Sequence, residues 1–133
     1  MGLFSKENKP PIERILDESM PMVIGLHHAE RVEEFDVPMD EAAARAAIAR
    51  YVETDGVLLD VAALEQKCDL AALMTGAVAA ILPTILCIDV KPNGESTHLT
   101  VRVFYKEGVL SKKTGILSID AFRRGITPTT MNV

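Results

Sequence analysis

Apolar residues recur at helical spacing through the first part of this chain and in alternation near its end, and that change of period predicts its elements. From Pro11 they fall at Ile12, Ile15, Leu16, Met20, Val23 and Leu26, a helical stripe. Pro11 suits a first helical turn, whereas Pro21 removes a backbone donor within the stripe, so a kink or two consecutive helices is expected there. The following AERVEEFDVP sets Val32, Phe35 and Val37 among acids and reads as irregular, with a helix end or short edge strand as alternatives. Pro38 then opens MDEAAARAAIARYVETDG, the most regular helical pattern in the chain. Alanine is the strongest helix former, Glu41 and Arg45 form an i,i+4 pair, and Ala44, Ile48, Tyr51 and Val52 make the buried stripe. Gly56 supplies the stop.

GVLLD reads as a short strand or linker, and Asp60 as the cap of a central helix. That helix leads into the longest uncharged run, nineteen residues from Leu70 to Ile88. Such a length satisfies the rule for a membrane span. Acidic flanks, Gly76 and Pro83 inside the run, and no Trp or Tyr at its ends argue against a span. The expectation is a buried helix, broken near Pro83, feeding a buried strand from Thr84 to Val90.

Beyond Val90 the period becomes two. Asn93-Gly94 is a strong hairpin signal. From Thr97 to Lys106, Leu99, Val101, Val103 and Tyr105 take one face, with His98, Thr100, Arg102, Phe104 and Lys106 on the other. Gly115–Asp120 reads as a third strand, followed by a turn of helix at 121–124. The predicted fold is α+β, a helical N-terminal two-thirds packed on a C-terminal three-stranded antiparallel meander. The predicted organisation is a single domain over 11–124 with polar arms at 1–10 and 125–133.

Composition is that of a globular domain, with 48% apolar and 25% charged residues. Cys68 and Cys87 occupy apolar positions without a pairing pattern, and no apolar leader opens the chain, so reduced thiols and a cytoplasmic location are expected. Charge is uneven: residues 1–86 carry 7 basic and 15 acidic groups, residues 87–133 carry 7 and 4. The two parts are able to attract each other within one molecule or between neighbours.

Three constellations bear on chemistry. Among His27, His28, Glu30 and Glu34, a helix would set His27, Glu30 and Glu34 on one face, imidazole and carboxylate together, the basis for a metal site or proton exchange, although the order matches no established metal motif. Two ordinary histidines on a solvated acidic segment is the simpler account. Cys68, Cys87 and His98 would make a zinc site only if the fold converged them, and core cysteines are simpler. Arg102, Phe104 and Lys106 place charge and an aromatic on one sheet face, as single-strand binders do, but one aromatic on an acidic protein makes nucleic acid an unfavoured partner. Without a phosphate loop or nucleophile motif, the expected function is non-catalytic. It is a structural subunit making protein–protein contacts in a larger oligomeric assembly such as a virion or secretion particle, with no cofactor and no membrane span. Leu3 and Phe4 in the first arm, Arg102, Phe104 and Lys106 on the hairpin, and Arg123 and Arg124 near the end are the expected contact residues. The alternatives are a small metal-dependent enzyme at His27/His28/Glu30 and a nucleic-acid module at the basic hairpin.

Overall fold

A computed structural model of the chain describes residues 10–19, 27–75, 83–108 and 113–127. Both arms, apart from Pro10 and residues 125–127, lie outside them, as do Pro21 with the end of the first stripe, 76–82 of the central run, and 109–112. The elements are α1 (Pro11–Ser19), β1 (His27–Val37), α2 (Glu41–Asp55), β2 (Gly56–Leu59), β3 (Leu70–Met74), β4 (Thr84–Asn93), β5 (Ser96–Glu107) and α3 (Thr114–Ile126). The strands form one five-stranded antiparallel sheet in the order β1-β5-β4-β3-β2. This overturns the expected helical two-thirds on a three-stranded meander, and three local readings account for the difference.

The acid-rich AERVEEFDV segment is not irregular: it belongs to β1, an edge strand paired with β5 from His27↔Glu107 to Val37↔Thr97. Phe35 and Val37 enter the core while Glu30, Val32, Glu34 and Asp36 face out, the alternation of a half-solvated strand. The central helix is replaced by a short 3-10 turn at Ala62–Leu64, a loop and β3. Asp60 still caps, its carboxylate accepting the Ala62 N–H at 3.0 Å, but Glu65 enters the left-handed region at φ 58° and ends the turn. Strand β3 reads as a continuous apolar run because both its faces are covered: Ala71 and Leu73 pack to one side, Ala72 and Met74 to the other. Asp69 fixes its register, donating its N–H to Ile88 O at 3.0 Å and accepting the Val90 N–H at 2.8 Å. Finally, Gly115–Asp120 is the start of α3, not a strand. Gly115, Ser118, Ile119, Phe122 and Ile126 are buried at helical spacing, whereas Ile116 and Leu117 are exposed and only lend the sequence a strand-like run.

Helix α2 and the β4–β5 hairpin stand where the sequence puts them. Helix α2 carries its N-cap at Asp40, whose carboxylate accepts the Ala43 N–H at 2.8 Å, and buries Ala44, Ile48 and Val52. The β4–β5 hairpin turns at Gly94, with φ 65°, and β5 buries Leu99, Val101, Val103 and Tyr105. Helices α2 and α3 cover one sheet face, where Phe122 meets Phe35 and Tyr51 edge-on with ring centroids 6.4 and 5.5 Å apart. On the other face α1 lays Ile12 and Leu16 over Ala71, Ile85 and Cys87. Among the described residues no helix is long and apolar enough to cross a membrane.

Candidate functional site: a polar sheet face and an open edge

Since β1 is a strand, the helical face proposed for His27, Glu30 and Glu34 does not form. Alternation sends His27 to one side, 3.7 Å from Glu107, and His28, Glu30 and Glu34 to the other. His28 turns to α1, its Nε2 lying 3.1 Å from Asp17 Oδ1 and 4.0 Å from Glu13. Glu34 is committed to His98. Among the described residues no three His, Cys, Asp or Glu side chains are arranged to hold a metal ion.

The basic hairpin face is likewise spoken for. Lys106, only 12% exposed, donates to Asp17 Oδ1 at 2.7 Å, so one carboxylate serves both Lys106 and His28 and ties α1 to the sheet. Arg102 donates to Gln66 Oε1 at 3.1 Å and sits 5.8 Å from the Phe104 ring centre. On the opposite face Arg123 lies over the Phe35 ring at 4.5 Å. Arg124 is exposed near Tyr51, whose hydroxyl is pushed above its ordinary pKa, first by burial and then by Asp55, with Arg124 opposing. Leu3 and Phe4 lie outside the described residues. The uneven charge of the chain is thus partly satisfied within one molecule.

The fold separates the conditional zinc trio into two groups, His98 with carboxylates and Cys68 with Cys87. His98 is clamped between acids, Nδ1 2.8 Å from Asp36 and Nε2 2.8 Å from Glu34. Both ring nitrogens can donate only in the imidazolium, so these bonds, Glu34 first, raise the His98 pKa. The second is a cysteine pair: the loop before β3 sets half-buried Cys68 against buried Cys87, away from His98. Burial, followed by the neighbouring Cys68, pushes the Cys87 thiol up to about 12.

Strand β2 bounds the sheet on its far side, paired with β3 and with no further strand among the described residues. Half of its backbone groups therefore point away from the sheet. Val57 and Leu58, on opposite faces of this edge, are 54% and 53% exposed, the most exposed large apolar side chains among the described residues. No Lys or Pro interrupts Gly56–Leu59, and an edge without such devices is a template for pairing. GVLL had been legible only as a strand or linker. Being an edge is a property of strand order, which it does not encode. No family model, curated protein or solved structure matches this chain.

Proposed function

We propose that this protein is a non-catalytic subunit making protein–protein contacts in an oligomeric assembly, and that the β2 edge is the contact. The carrying observation is the exposure of Val57 and Leu58 on an edge that no other strand pairs with among the described residues. The partner is a second copy of the chain. Antiparallel pairing of two β2 strands about Val57 puts Val57 opposite Val57 and Leu58 opposite Gly56, and keeps Asp55 and Asp60 of the two copies apart. A slip of one residue faces Asp55 to Asp60, and like charges directly opposed disfavour it. Charge therefore helps choose the register of an isologous, two-fold contact. Four residues make a short ladder, which favours a reversible pair over an open-ended aggregate.

Hydrogen exchange of the intact chain tests the contact. Amides of the Gly56–Leu59 segment should gain protection as protein concentration rises, while those of the outer strand β1 stay constant. Protection of β2 that does not change with concentration contradicts the reading.

A further inference from the structure

Between α1 and the β1–β5 pair the sheet face opens into a cleft of about 320 Å³, within the range of small-ligand sites. Its apolar walls are Ile12, Leu16 and Phe104, and its polar lining is Glu13, Glu30, His28 and Gln66. The charges here are unevenly committed. Lys106, close by, is neutralised by Asp17 at 2.7 Å, whereas Arg102 meets only the neutral Gln66 amide and the Phe104 ring and keeps its charge. The acids are not neutralised in the same way. Glu13 lies 4.0 Å from the His28 ring, and Glu30 has no hydrogen bond or ion pair among the described residues. An apolar hollow is thus bordered by two carboxylates that have no Lys or Arg partner among the described residues.

From this combination we infer that the cleft binds an alkylammonium or alkylguanidinium group, its stem against Ile12, Leu16 and Phe104 and its charge shared by Glu13 and Glu30. A guanidinium suits the site best. Its planar fork matches carboxylates, and its weak hydration lowers the cost of entering a partly apolar hollow. A neutral alcohol of equal length would fill the same volume without meeting the carboxylates. An alkyl carboxylate would be repelled by them. The cation could arrive as a free amine or as a Lys or Arg side chain of another polypeptide, and the chemistry at the cleft is the same. This inference stands apart from the β2 contact, because the cleft lies on the sheet face at the β1 side and not on the β2 edge.

Titration of the full-length protein with agmatine, n-pentylamine, 1-pentanol and pentanoate, followed by amide chemical shifts, separates these cases. Saturable shifts at His28, Glu30 and Phe104 are expected with the two amines only. Glu30→Gln should weaken agmatine binding about tenfold, the equivalent of one charge-assisted hydrogen bond. Glu13→Gln should weaken it in the same direction, and both variants should keep the wild-type spectrum elsewhere. Equal binding of pentanol and pentylamine, no saturable binding of either amine, or wild-type affinity in both variants would overturn the inference. The source of the cation is read from mass: agmatine that lowers the mass of an oligomer identifies a side chain of a neighbouring molecule, and agmatine that binds at constant mass identifies a free amine.

Discussion

At the scale of single residues, His98 and the cysteine pair carry the most direct consequences. His98 gains two carboxylate partners on folding, so its folded pKa lies above the unfolded value of about 6.5. A raised folded pKa means that the imidazolium stabilises the β1–β5 pairing fully below the unfolded pKa, and that this contribution is lost as pH rises through the folded one. The melting temperature of wild type should therefore exceed that of His98→Gln at pH 5.5, with the gap closing on the alkaline side. A gap that widens with pH would refute the clamp. Cys87 is buried and its thiol is held protonated by that burial, whereas Cys68 is half-exposed. Iodoacetamide at pH 8 should add one label to the native chain, at Cys68, and the second only after unfolding, as counted by intact mass. Asp17 is the third residue of consequence, because Asp17→Asn leaves Lys106 12% exposed without its carboxylate. About 1–3 kcal/mol should be lost, measured by urea unfolding, for a partly buried charge stripped of its partner.

At the scale of elements, legibility depended on how plainly each segment showed its period or its β-branched composition. Helix α2 and strand β5 each bury one face, so their periods of 3.6 and 2 stand out, and their core residues were readable in advance. Strand β3 is covered on both faces and has no period to read; its alanines then spoke for helix, and tertiary pairing overrode that propensity. The acids of β1 hid an alternation that only pairing with β5 makes plain. In α3 the exposed Ile116 and Leu117 joined the buried positions into a false strand. The close seating of α3 also has a testable cost. A Cβ at Gly115 would stand 2.6 Å from the ring of Tyr105, which is 7% exposed and has no open space to swing into. Gly115→Ala gains about 1 kcal/mol of helix propensity, but overpacking costs about 1–3 kcal/mol, so a net loss of about 1 kcal/mol is expected from denaturant unfolding. A raised midpoint would mean that α3 sits further from β5.

At the scale of the whole molecule, the sheet brings distant parts of the chain into electrostatic register. Lys106 meets Asp17 across 89 positions, and His98 meets Glu34 across 64. The charge imbalance between the two parts of the sequence was legible; that part of it is spent inside one molecule, at Lys106 and Asp17, was not, because strand order decides which charges meet. The same limit applies to the site. Arg102, Phe104 and Lys106 share a face as their alternation required, but their partners Gln66 and Asp17 come from other elements. The edge formed by β2 exists only because β3 takes one of its two sides. What the sheet leaves over is an apolar edge with no further strand among the described residues, and association through that edge is the central claim. It is tested most directly by light scattering coupled to size-exclusion chromatography over a range of concentrations, for wild type and Val57→Lys/Leu58→Lys. Wild type should show a discrete mass near twice the 14.5 kDa chain, or a larger even multiple of it, and the double variant should run as a folded monomer with an unchanged circular-dichroism spectrum. A wild-type monomer at every concentration, or an oligomer that survives both lysines, would contradict it.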